Sequence, residues 1–274
     1  MQNATMAFLG AGNMCGSIIG GLIAEGYSPE QITATRRSEE RLQAIKEELG
    51  VQTSTDNIAA VANHDVIILG VKPQMMKELC DQIKDQVQQS KPLVISVAAG
   101  LTTETLDRWL GGNVAVVRTM PNTPSLLRCG AAGLYANASV SDEQKQVAEK
   151  MMQAVGIALW VDKEELMEAV TGVSGSGPAY FFLMMEAMQQ AGVDVGLTPE
   201  VAKELTLQTV LGAARMATES DVEPAELRRR VTSPGGTTEQ AIKTFNEGDM
   251  QELFSKAVQA SANRGTELAK LLDQ

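Results

Sequence analysis

A chain of 274 residues with a formal net charge of −11 and a pI near 4.7 is poorly matched to nucleic acid or an anionic membrane, since both call for clustered Lys and Arg. Its hydrophobic fraction of 44% and charged fraction of 21% are those of a globular protein long enough for two domains, and the one basic run, Arg228-Arg229-Arg230, suits a solvated helix face. Three scattered cysteines, Cys15, Cys80 and Cys129, argue against a disulfide framework and lack metal-ligand spacing, so a reducing compartment and no metal are expected. No apolar run approaches the roughly 20 residues that span a bilayer, and the N-terminus has no leader pattern; a cytoplasmic location is expected.

The chain opens with an apolar run, Thr5 to Leu9, then Gly10-Ala11-Gly12-Asn13-Met14-Cys15, then helical periodicity through Ile18, Ile19, Leu22 and Ile23. Strand, glycine turn, helix is the start of a dinucleotide-binding fold, in which the glycines tighten the turn and let a pyrophosphate approach the backbone. The third small position is Cys15, followed by Gly16. The second strand, Ile32 to Thr35, ends in Thr35-Arg36-Arg37-Ser38 where an NAD enzyme would carry an acidic residue. Two guanidiniums and two hydroxyls suit the 2′-phosphate of NADP(H).

Alternation continues with a helix from Ser38 to Leu49 stopped by Gly50, a strand at Val51 to Thr53, a helical turn after Asp56-Asn57, and strands at Asp65 to Gly70, Leu93 to Val97 and Val114 to Val117. Val71-Lys72-Pro73, Ala98-Ala99-Gly100 and Arg118 to Pro124 follow strand ends, where ligands lie in such sheets. Two further strands, Ala131 to Tyr135 and Ile157 to Val161, bracket a helix from Asp142 to Val155. About eight strands in an α/β domain spanning 1–162 are predicted.

From Lys163 the pattern is helix after helix, so 163–274 is expected to be an all-α domain. Pro178 starts a helix ending at Gly192, Thr198-Pro199 starts another, Pro224 a short one, and Asp249 a last one with Glu252 as capping partner. The first of these is apolar nearly all round, with Glu186 its only charge between Ala179 and Met188, and such a helix needs cover on every side. At least a homodimer through this domain is predicted.

Between these helices lies Ser233-Pro234-Gly235-Gly236-Thr237-Thr238. Bare glycine N–H groups at a helix start suit a small carboxylate; Thr237 is expected as N-cap with Gln240 as its capping-box partner. The single histidine, His64, precedes a strand and is expected to lie away from the site.

Together, Gly10-Ala11-Gly12-Asn13-Met14, Val71-Lys72-Pro73, Met120-Pro121-Asn122-Thr123-Pro124, Val173-Ser174-Gly175-Ser176-Gly177-Pro178-Ala179-Tyr180 and Ser233-Pro234-Gly235-Gly236-Thr237-Thr238 resemble pyrroline-5-carboxylate reductase, in order and spacing along the whole chain. The first two motifs are shared with other NADP-dependent reductases; the last two are specific. The resemblance implies an N-terminal Rossmann domain, a C-terminal all-α dimerisation and substrate domain, and reduction of 1-pyrroline-5-carboxylate to L-proline, the final step of proline biosynthesis, with NADPH or NADH as hydride donor. By position it implies cofactor contacts at Leu9, Gly10, Ala11, Gly12, Asn13, Met14, Thr35, Arg36, Arg37, Asn57, Gly70, Val71, Lys72, Pro73, Val97, Ala98 and Ala99. It implies substrate contacts at Glu164, Ser233, Gly236, Thr237 and Thr238, with Thr238 acting at the ring nitrogen. The departures are Cys15, where the family usually has Ala, and Thr237, where Ala or Thr occurs.

Two rival readings set the alternatives. A reductase of 3-hydroxy acids would want a Lys on the helix from Ala179 to Gln190, which has none. A nucleotide-binding regulator without turnover would have no need of a second anion turn.

Overall fold

The computed structural model describes residues 4–273. The N-terminal half alternates as anticipated: β1 (Met6–Leu9), α1 (Asn13–Ala24), β2 (Ile32–Thr35), α2 (Glu39–Leu49), β3 (Gln52–Ser54), α3 (Asn57–Ala62), β4 (Val66–Leu69), α4 (Met76–Ser90), β5 (Leu93–Ser96), α5 (Thr103–Trp109), β6 (Val116–Met120), β7 (Gly130–Ala136), α6 (Asp142–Gln153) and β8 (Gly156–Trp160). The strands form one eight-stranded sheet in the order β3-β2-β1-β4-β5-β6-β7-β8, parallel except where β7 runs against β6.

Helices cover both faces, so β1 and β4 are apolar at every position rather than alternately. Phe8 of β1 shares one core with Ile18, Ile19 and Leu22 of α1 and Met151 of α6, while Ala7 and Leu9 share the other with Leu79, Cys80 and Ile83 of α4 and Leu106 of α5. Each fully buried Leu or Ile contributes roughly 1.5–3 kcal/mol. The helices carry their own start and stop signals. Ser38 accepts from Arg41 N at the head of α2, Gly50 ends it at φ 69°, and Ser141 and Gln144 make a reciprocal capping box on α6. The helix α5 has no counterpart in the sequence reading; Thr102, whose hydroxyl accepts from Thr105 N, is its cap.

After β8 follow α7 (Leu166–Val170), a π turn (Thr171–Gly175), α8 (Gly177–Asp194), α9 (Pro199–Thr218), α10 (Pro224–Arg230), α11 (Thr237–Glu247) and α12 (Met250–Leu272). The chain divides into two compact units, one of residues 1–176 with 259–274 and one of 177–258. The change from strand to helix after Asp162 therefore does not coincide with the change of unit. The reason is local packing. Val170 of α7 lies against Gly133 of β7 so closely that a Cβ there would stand 2.6 Å from Val170 Cγ1, and Asn122 Nδ2 donates to Ser174 O at 3.0 Å. The far half of α12 returns to the first unit: Asp273 takes hydrogen bonds from the Thr105 hydroxyl and from Arg108.

The second unit is all helix. The helix α8 passes through Gly192, the expected stop, and ends at Asp194. A Cβ at Gly192 would lie 3.2 Å from Ala202 Cβ of α9, so this glycine serves close packing of the two helices rather than termination. Of the side chains along α8, Phe182 is 57% and Leu183 67% exposed, and Gly177 alone of its residues is buried. At the start of α12, Asp249 is left-handed (φ 50°) and Glu252 pairs with Lys256 at 3.2 Å rather than capping.

Candidate active site

The strand order reverses between β1 and β4, and open parallel sheets bind ligands outside the carboxyl ends of their strands at such a point. A cavity of about 690 Å³ lies there. Of the residues expected to hold a dinucleotide, Gly10, Gly12, Thr35, Arg36, Arg37, Asn57, Gly70, Val71 and Lys72 line it. Ala11 contributes through its carbonyl, which accepts from Arg36 Nη1 at 2.8 Å. Leu9 is buried at the end of β1, and Asn13 and Met14 open α1. Pro73 begins a 3-10 turn. Val97, Ala98 and Ala99 follow β5, with the Ala98 N–H on Ser96 Oγ at 3.2 Å. Ala11 and these last seven do not line the cavity.

The local chemistry fits an anionic nucleotide. Gly10 is left-handed (φ 83°), and a Cβ on it would come within 2.4 Å of Val71 Cγ1, so the turn exists only as glycine. No side chain caps α1, which leaves its first N–H groups and the positive end of its dipole for a phosphate. Thr35 Oγ1 donates to Asn57 Oδ1 at 2.5 Å, and Asn57 Nδ2 to Gln82 Oε1 at 3.0 Å, tying the ends of β2 and α3 to α4. Cys15 packs under the turn, where Gly70 makes room: a Cβ at 70 would lie 2.2 Å from the sulfur. Burial pushes that thiol up to about 12, so it stays protonated and serves only as packing.

Ser38, whose hydroxyl was expected at a 2′-phosphate, lines the cavity too; Arg41, Thr55, Met75, Glu78, Leu79 and Gln82 also line it and were not anticipated. Met75, Glu78, Leu79 and Gln82 follow the i, i+3, i+4, i+7 spacing of an ordinary core-facing stripe. The detectable signal was the polar pair Glu78 and Gln82 interrupting it.

In the second unit, Gly235 takes φ 71° and Gly236 donates back to Ser233 O at 2.9 Å. This tight turn admits the chain to α11 one residue early. Gly236, extended and without a side-chain cap, is the N-cap, and Thr237 and Thr238 are already helical. The expected Thr237–Gln240 capping box is thereby replaced: Glu239 Oε2 accepts from Gly235 N at 2.8 Å. Ser233, Thr237 and Thr238 are exposed around the turn, and Gly236 is half-buried.

Glu164 belongs to the first unit. Its two oxygens accept from Thr103 N and Thr103 Oγ1, each at 2.7 Å, and it lies 3.6 Å from the buried Arg118 guanidinium. Arg118 also donates to Glu168 at 2.7 Å. A carboxylate takes up to about four hydrogen bonds, so Glu164 is anchored without being saturated. His64 is outside the cavity, its Nδ1 2.7 Å from Ala60 O. Among the described residues no cluster of His, Cys, Asp or Glu could hold a metal ion, and no helix is long and apolar enough to cross a membrane.

Comparison with known proteins joins the two halves. A family model described as pyrroline-5-carboxylate reductase dimerisation matches residues 164–268, and one described as NADP oxidoreductase coenzyme F420-dependent matches residues 5–100. Pyrroline-5-carboxylate reductase of Pseudomonas aeruginosa is 52% identical over 274 residues, covering 100% of both chains. The chain belongs to the pyrroline-5-carboxylate reductase family. The enzyme of that name from Vibrio alginolyticus is 43% identical over 99% of this chain and 100% of its own. The pyrroline-5-carboxylate reductase structure from Coxiella burnetii superposes with a TM-score of 0.94 at 50% identity, covering 97% of this chain and 98% of that one. The Plasmodium falciparum pyrroline carboxylate reductase with NADP bound gives a TM-score of 0.85 at 27% identity, covering 98% and 99%.

Proposed function

We propose that this chain reduces 1-pyrroline-5-carboxylate to L-proline in the cytoplasm, with NADPH as the preferred and NADH as a second hydride donor. The observation that carries the substrate assignment is the 52% identity over the full length of the Pseudomonas aeruginosa reductase. The cavity supports the donor: Gly10 and Gly12 allow close approach of a pyrophosphate, and Arg36, Arg37, Ser38 and Arg41 offer charge-assisted bonds to a 2′-phosphate. When bound, the reduced nicotinamide supplies the hydride.

In this reading the chain positions rather than activates. Residues 163–274 form the dimerisation and substrate domain. The N–H groups at the head of α11, with Ser233, Gly236 and Thr237, hold the substrate carboxylate. Thr238 Oγ1 holds the ring nitrogen in register, and the anchored carboxylate of Glu164 offsets the charge of a protonated imine. An iminium is the better hydride acceptor and arrives with its proton, so no strong acid is needed.

The test is NADPH consumption with 1-pyrroline-5-carboxylate; absence of turnover would refute the reading. Thr238→Ala is expected to lower kcat by about a hundredfold, the scale of losing the alignment of the reacting atoms, with NADPH affinity unchanged. A defect confined to cofactor binding would contradict the role given to Thr238.

The bare sides of α8 need cover, and a second copy supplies it. Sedimentation at assay concentration is expected to give a dimer or larger, with activity and fold lost together on dilution. A fully active monomer is the contrary result.

A further inference from the structure

An acidic residue at the end of β2 is what NAD enzymes use on the ribose 2′-hydroxyl, and this chain has Arg36 and Arg37 in that neighbourhood instead. The fold nevertheless brings a carboxylate to the same cavity from another element. Glu78 stands on α4 one turn before Gln82, and Gln82 reaches Asn57, whose Oδ1 accepts from Thr35 at the last position of β2. This face of α4 thus borders the end of β2. There Glu78 Oε1 lies 2.6 Å from Arg37 Nη2.

The two arginines are therefore not equivalent. Arg36 rests on a neutral carbonyl, that of Ala11, and keeps its charge for a ligand. Arg37 is neutralised by Glu78. Both partners are well exposed, at 76% and 69% of their side chains, so the pair is weak and exchanges readily.

Building on the nucleotide reading of this cavity, we propose that Glu78 is a specificity-determining residue that balances NADPH against NADH. A 2′-phosphate must take Arg37 away from Glu78 and sit beside its negative charge. A 2′-hydroxyl brings no charge and finds in Glu78 the carboxylate acceptor that β2 does not supply. One residue on α4 thus restrains the preference for NADPH and sustains use of NADH.

The experiment measures dissociation constants of NADPH and NADH by nucleotide fluorescence on the full chain, for the native protein, Glu78→Gln and the double variant Arg36→Asp with Arg37→Ser. Glu78→Gln is expected to tighten NADPH and weaken NADH, moving their ratio by about fivefold, the factor matching the upper worth of an exposed charge pair. Equal change of both constants, or none, would show Glu78 to be a surface partner of Arg37 and overturn the proposal. The double variant separates the two levels of inference. It should weaken NADPH far more than NADH; if it does and the Glu78→Gln ratio stays put, only the role of Glu78 falls. If NADPH binding survives the double variant unaltered, the cavity is not the 2′-phosphate site, and both readings fall.

Discussion

Arg118→Met is expected to cost about 3–5 kcal/mol of stability, the range seen when one partner of a buried ion pair is removed. Arg118 is 2% exposed on β6, and two carboxylates, Glu164 and Glu168, converge on its single guanidinium. The second oxygen of Glu168 is buried without a hydrogen bond and faces α12, where a Cβ at Gly265 would stand 2.1 Å away. Without the arginine both acids remain in a poorly solvated pocket with no cation, and α7 loses its ion-pair tie to β6, keeping only the packing of Val170 on Gly133 of β7. Urea denaturation checks this. Adding Glu168→Gln to Arg118→Met should restore part of the loss, as expected for coupled neighbours. A loss under about 1 kcal/mol would show that the cluster is solvated and carries no such weight.

Gly10→Ala is expected to damage both fold and nucleotide binding, whereas Gly12→Ala should damage binding alone. A methyl at 10 meets Val71 Cγ1 at 2.4 Å and Val71 N at 3.1 Å, on a backbone at φ 83°. The left-handed conformation alone costs about 1–3 kcal/mol for other residues. A methyl at 12 finds only Gly10 O, at 3.8 Å, an ordinary contact, so the empty protein accepts it; what suffers is close approach of a pyrophosphate. Thermal melts without nucleotide, set beside NADPH dissociation constants, separate the two. A Gly12→Ala protein with native NADPH affinity would contradict the cradle assigned to this turn.

What was legible in the sequence was whatever local chemistry determines. Short apolar or β-branched runs marked the eight strands, with Gly10 and Gly70 closing β1 and β4, and Ser38, Gly50, Thr198 and Pro224 marked helix ends that the structure keeps. The glycine turn before α1 and the arginines after β2 were readable for the same reason: backbone freedom and charge are properties of the residues themselves. What escaped depends on neighbours distant in sequence. Gly192 read as a helix stop, because its service to Ala202 of another helix is not visible locally. Thr237 read as an N-cap because the left-handed turn at Gly235 that moves the helix start is a matter of geometry, not composition. Glu78 hid within an apolar stripe, and Arg118 read as a strand-end residue until Glu164 and Glu168 came to meet it.

The return of residues 259–273 to the first unit also sets a timetable for synthesis. Thr105 waits for Asp273 across 168 positions, Gly100 for Leu268 and Leu272, and Glu168 for the bare face at Gly265. Closing so long a loop is entropically slow, and contacts of this range form late. On the ribosome, at roughly 5–20 residues per second, α5 is made early, and its Thr105 and Arg108 stay without Asp273 while all of residues 177–258 emerge, on the order of ten seconds. The apolar sides of α8 are thus present in the nascent chain before the first unit is complete. Closure within one chain and association between chains then compete for the same interval, and a cell that slows elongation over residues 177–258 would tilt that contest toward premature association.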